Sequence, residues 1–81
     1  MARVSGQQDH GGQLAQLGEV IRQRRLKLGL SQEALADASG IDRSHMGKIE
    51  RGERNVTFLN LLKIAQAIGF KASDLLKTAG L

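Results

Sequence analysis

Between Asp42 and Asn55 the chain carries Arg43, Ser44, Lys48, Arg51, Arg54 and Asn55, a run of hydrogen-bond donors set among small and apolar residues. Arg offers a rigid fork of N–H groups that fits a phosphate or the two acceptors on a guanine edge, Lys a mobile point charge, and Ser and Asn short donors and acceptors. This is the chemistry of holding a polyanion. The rival reading is a solvated helix face, the ordinary fate of charged side chains. Spacing favours the first: at about 100° per residue, Met46 and Ile49 share one side of a helix with His45 near them, while Arg43, Ser44, Gly47, Lys48 and Arg51 collect on the other.

Other reactive residue types lack the partners that catalysis or metal binding requires. His10 and His45 have no second ligand at helical spacing, and Ser31 and Ser44 have no arranged His and carboxylate to activate them. Gly11-Gly12 is not followed by the G-K pair of a phosphate loop. With no Cys, the chain has neither a thiolate metal site nor a disulfide framework. The expectation is a binding protein with no catalytic residues, no metal, no cofactor and no small-molecule substrate.

Composition narrows the partner. Eighty-one residues at 41% apolar content suit one small core. Twelve Lys and Arg against eight Asp and Glu leave a charge of +4, and Glu19 to Lys27 holds four of the cations, Arg22, Arg24, Arg25 and Lys27. Such a surplus suits a nucleic acid. Proteins that stack single-stranded bases need aromatic platforms, and this chain has two Phe and no Trp or Tyr, so duplex DNA is the better polyanion. No apolar run approaches a membrane span or a secretory signal, so a cytoplasmic protein is expected.

The elements that must position these residues follow from periodicity and punctuation. Residues 1–12 are polar and Gly-rich and read as a flexible N-terminal arm, with the domain over residues 13–81. A first helix is expected from Gln13 to Leu28, with Leu14, Leu17, Val20, Ile21, Leu26 and Leu28 near helical spacing. Ser31 caps a second from about Gln32 to Ser39, Gly40 supplies the turn, and Asp42 caps a third from about Arg43 to Arg51. Thr57 caps a fourth, whose inward stripe is Phe58, Leu61, Ile64, Ala65 and Ile68, and Ser73 caps a last one over Asp74 to Thr78. The spacing makes Met46, Phe58 and Phe70 core residues. Nothing alternates with period two, so the fold is all-α, with five helices and a helix-turn-helix at helices two and three. Leu59, Leu62 and Leu76 are left over from the inward faces and are expected at a dimer interface. By charge, Arg22, Arg24 and Arg51 are expected at phosphates.

Residues Leu17 to Leu76 resemble the Cro/C1-type (XRE) helix-turn-helix family. Gly29-Leu30-Ser31-Gln32, Leu35-Ala36, Gly40, Ile49-Glu50-Arg51-Gly52 and Ile64-Ala65-Gln66-Ala67-Ile68-Gly69 carry the likeness. Within the family, Ile41-Asp42-Arg43-Ser44 and Glu50-Arg51-Gly52-Glu53-Arg54-Asn55 look like the controller proteins of restriction-modification systems. The resemblance implies a lambda-repressor-like domain that regulates transcription as a homodimer on a roughly palindromic operator in double-stranded DNA. It implies that Gln32 bonds a phosphate or base edge, that Arg43, Ser44, Gly47 and Lys48 face the major groove, and that Arg54 and Asn55 lie beside the backbone. Gly47 departs from members with a longer polar side chain there, which removes one base contact and allows close approach. The resemblance also pairs Arg25 with Glu50 as a partly buried structural ion pair. The alternative is a protein-interaction module, an antitoxin or adaptor, on the same fold.

Overall fold

A computed structural model describes residues 11–81. The N-terminal arm expected over residues 1–12, and His10 within it, lie outside the described residues apart from Gly11 and Gly12. Five helices follow: α1 (Gln13–Lys27), α2 (Gln32–Ser39), α3 (Arg43–Glu50), α4 (Phe58–Ala67) and α5 (Ala72–Thr78). Helix α1 packs on α3 and α5, α2 on α3 and α4, and α4 on α5, so each helix has at least two neighbours around one core.

The core takes at least one large apolar side chain from every helix or its cap. Ile21, Leu35, Met46, Ile64, Ile68 and Leu75 are fully enclosed, with Leu17, Ile41, Ile49 and Leu61 around them. Removing each from water contributes about 1.5–3 kcal/mol. This matters most for α2 and α3, whose eight residues each fall well short of the roughly 12–15 at which an isolated helix becomes marginally stable.

Side-chain caps fix where these short helices begin. Ser31 Oγ accepts from the Ala34 N–H at 2.9 Å, Asp42 Oδ2 from that of His45 at 3.2 Å, and Thr57 Oγ1 from that of Asn60 at 3.1 Å, as the sequence predicts. The start of α5 differs. Lys71 is its N-cap, and the Lys71 N–H donates to Asp74 Oδ2 at 3.1 Å, so the acid three residues on selects the start and Ser73 lies inside the helix.

Three apolar side chains also depart from expectation. Phe58 is 69% exposed. At about 100° per residue it falls roughly 70° from the centre of the arc set by Leu61, Ile64, Ala65 and Ile68, and only about 40° from Leu62. Leu26 and Leu28 are exposed as well. Leu26 projects on the far side of α1 from Ile21, and Leu28 is the cap beyond the last helical residue. Phe70 is half-buried against the core.

The inward position near the end of α1 belongs instead to a charge. Arg25 and Glu50 retain only 8% and 5% exposure. Arg25 Nε and Nη2 donate to the two Glu50 carboxylate oxygens at 2.8 and 3.0 Å, and Nη1 donates to the Leu30 carbonyl at 3.0 Å. Gln32 Nε2 adds a bond to Glu50 Oε1 at 3.1 Å. Among the described residues, every buried side-chain nitrogen and oxygen has a partner. Glu50→Ala would leave the Arg25 guanidinium inside without its anion, an error worth about 3–5 kcal/mol. Calorimetry is expected to show a melting temperature lower by more than about 10 °C, against a few degrees for the exposed Glu53→Ala. Equal melting curves would contradict this account of the pair.

Candidate nucleic-acid interface

The turn between α2 and α3 sets the angle of α3. Gly40 takes φ 68°, a left-handed conformation that costs an L side chain strain, and the Ile41 N–H closes the turn onto the Ala36 carbonyl at 2.9 Å. Ser39 is buried there, its hydroxyl donating back to the Leu35 carbonyl at 2.7 Å. Ile41, Met46 and Ile49 then hold α3 by its apolar side. At the other end α1 crosses very closely: a Cβ on Gly18 would stand 2.5 Å from the Ile49 carbonyl oxygen and nearer still to that of Glu50.

With one side fixed, the opposite side of α3 faces outward. Gln32, Arg43, Ser44, Gly47 and Arg51, together with Asp42, line one open concavity. The structure thus brings together five of the eight residues expected to touch DNA. Arg43 and Ser44 are exposed at the start of α3. Lys48 is half-buried and stands further round the helix, and Arg54 and Asn55 are exposed in the link to α4, so these three flank the concavity rather than line it.

Two members of the concavity also contact groups within the protein. Gly47, where the resemblance implies close approach of DNA, is buried beneath neighbouring side chains. Arg51 Nη1 and Gln32 Oε1 lie 3.1 and 3.2 Å from where its Cβ would be. Gln32 meanwhile donates one of its two amide hydrogens to Glu50 and turns its carbonyl oxygen toward Gly47.

Arg51 meets Glu53 through Nε at 2.9 Å and Nη2 at 3.2 Å. The Glu53 hydrogen bond, then its charge, raises the Arg51 pKa above its ordinary value. The same hydrogen bond holds the Glu53 carboxyl below the usual carboxylate range. Sequence reasoning did not single out Glu53 for this site. The available signal was Gly52 between the two residues, which ends the helix and folds position 53 back toward 51.

Two cations expected at phosphates by charge have partners within the protein. Arg24 Nε donates to the Ile68 carbonyl at 3.1 Å, and its guanidinium lies 4.6 Å from the centre of the Phe70 ring. It therefore fastens α1 to the end of α4. Arg22 pairs with Glu19 at 3.2 Å on the α1 surface.

At the expected dimer surface, Phe58 joins Leu59 and Leu62 as exposed apolar side chains on α4. Leu76 is half-buried and packs against the core, so it offers less free surface than Leu59 or Leu62.

A capped helix pair around a glycine turn, with the second helix apolar inward and polar outward, defines a helix-turn-helix DNA-binding domain. The helix-turn-helix family model matches residues 21–75, and the chain belongs to this family of DNA-binding regulators. Among its relatives, Control protein C.SmaI of Serratia marcescens is 43% identical over 65 residues, covering 80% of this chain and 77% of that protein. Control protein C.BamHI of Bacillus amyloliquefaciens is 45% identical over 60 residues, covering 73% and 74%. Among solved structures, the restriction-modification controller protein C.AhdI from Aeromonas hydrophila superposes with a TM-score of 0.75 at 47% identity, over 76% of this chain and 94% of that one.

The two helical glycines make opposite predictions for the same substitution. At Gly47 a methyl would meet only the ends of two flexible side chains. Gly47→Ala should therefore shift stability by less than the roughly 0.8–1 kcal/mol that Ala gains over Gly in a helix, the gain being offset by the movement of Gln32 and Arg51, and should not cost stability. Gly18→Ala would push a methyl into the α3 backbone and should destabilise the protein. Urea denaturation of both variants checks the pair, and the same sign for both would refute the packing described.

Proposed function

We propose that this protein is a transcription regulator that binds a roughly palindromic operator as a homodimer and acts as a restriction-modification controller protein. The observation that carries the reading is the exposure of Arg43 and Ser44 at the start of a helix whose other side is locked into the core. An Arg so placed can pair bidentately with guanine O6 and N7, at about 1–3 kcal/mol of discrimination. Lys48, Arg51, Arg54 and Asn55 flank it as phosphate or backbone contacts, and Gln32 adds an acceptor at the start of α2.

The dimer is supported by the contiguous apolar face of Phe58, Leu59 and Leu62, a surface that a monomer of this size gains nothing by exposing. A two-fold pairing there would present two copies of α3 to successive major grooves, about 34–36 Å apart. The controller role is supported by similarity to control proteins over about three quarters of the chain. The reading calls for duplex DNA and a second copy as partners, a cytoplasmic setting, and no reaction, cofactor or small-molecule substrate.

Selection of bound duplexes from a random library is expected to return two related half-sites about one helical turn apart. Arg43→Ala should relax preference at one position of each half-site. Sedimentation at micromolar concentration should show a dimer that Leu62→Glu dissociates. A single unpaired site, or a monomer unaffected by Leu62→Glu, would overturn the dimeric reading. Absence of duplex binding would leave the apolar α4 face as a site for another protein.

A further inference from the structure

Arg51 is the C-cap of α3 and reaches the edge of the concavity formed with Gln32, Arg43 and Ser44, its Nη1 lying over Gly47. The opposite edge of its guanidinium is taken by Glu53, which accepts from both Nε and Nη2. Glu53 itself stands outside the concavity. We infer that Glu53 is an internal counter-ion that limits the phosphate-driven, sequence-independent affinity of this protein for duplex DNA. The inference rests on the DNA-binding reading above and assigns a role to a residue that would not itself contact a base.

A guanidinium beside a duplex collects a phosphate and releases a condensed counterion, strengthening binding to any sequence alike. With Glu53 in place, a phosphate oxygen must displace a carboxylate from a two-point contact and approach its negative charge. Both side chains are about half exposed, at 56% and 53%, so the pair is weak in water and tempers the contact without blocking it. After Arg51, the charges of Lys48 and Arg54, the other cations flanking the concavity, also lower the Glu53 pKa. Because Arg51 holds the Glu53 carboxyl below its usual range, mild acidification does not remove the counter-ion, and a substitution must.

The test is a cycle of wild type, Glu53→Gln, Arg51→Ala and the double variant. Each is titrated with a random-sequence duplex of about three helical turns by fluorescence anisotropy, from roughly 50 to 200 mM salt, the range over which phosphate contacts register most strongly. Glu53→Gln is expected to tighten binding about two- to fivefold at the lowest salt, the weight of one exposed ion pair. The slope of log affinity against log salt should steepen by up to about 0.9, the value of one phosphate contact. Most of the gain should vanish when Arg51 is already Ala. Unchanged or weaker binding by Glu53→Gln overturns the inference, as does a gain that keeps more than half its size in the Arg51→Ala background. Both outcomes leave the DNA-binding reading intact, whereas a wild-type protein with no salt-dependent duplex binding removes that reading and this one together. Glu33→Gln, on the exposed surface of α2, measures what removal of any one carboxylate does.

Discussion

The Arg25–Glu50 pair is the constraint through which three helices agree on one geometry. It joins the last turn of α1 to the last residue of α3, and through Leu30 and Gln32 it reaches the link before α2 and the first residue of α2. Burying two charges costs several kcal/mol each before their attraction and hydrogen bonds offset it, so the pair adds little net stability over a well-packed apolar one. What it supplies is direction. A guanidinium and a carboxylate meeting along two parallel bonds tolerate little rotation, whereas apolar side chains accept many packings. The end of α3 is therefore fixed by hydrogen bonds and its middle by Met46 and Ile49. The outward side of the same helix inherits that precision.

Short helices make this dependence acute. With eight residues apiece, α2 and α3 do not persist without the core, so recognition geometry and global stability rise and fall together. Gly18 shows how tightly the parts are drawn, since α1 meets the α3 backbone with no room for a methyl group. Gly47 serves a different end on the opposite side of α3. The space it leaves is filled by Arg51 and Gln32, so the missing side chain brings two polar groups together instead of opening the surface.

Much of this was legible in the sequence, for identifiable reasons. Ser31, Asp42 and Thr57 cap their helices as read because capping is local, decided by a side chain and an N–H three residues away. The helix-turn-helix was legible because Gly40 and the apolar set Leu35, Ile41, Met46 and Ile49 leave few alternatives. The pairing of Arg25 with Glu50, by contrast, came from family resemblance: no periodicity joins positions 25 apart. What stayed hidden depends on tertiary neighbours. Phe58 sits at the margin of an apolar arc, and only the placement of the other helices decides whether such a residue is covered. Ser73 and Lys71 competed for one cap, and Asp74 decided it from inside the helix.

Charge was the least legible property, because a count does not reveal which cations are already committed. The Glu19–Lys27 segment read as a basic patch for phosphate, yet Arg25 is buried in an ion pair, Arg24 is spent on a carbonyl and an aromatic ring, and Arg22 meets Glu19. Near the concavity Arg51 is likewise engaged with Glu53. Arg43, Lys48 and Arg54 form no ion pair among the described residues. The net charge of +4 is thus a poor guide to the field a duplex would meet. That field is set by a few side chains around α3, and its strength depends on anions within the protein as much as on cations, since a carboxylate that already holds a guanidinium reduces what any phosphate can gain from it.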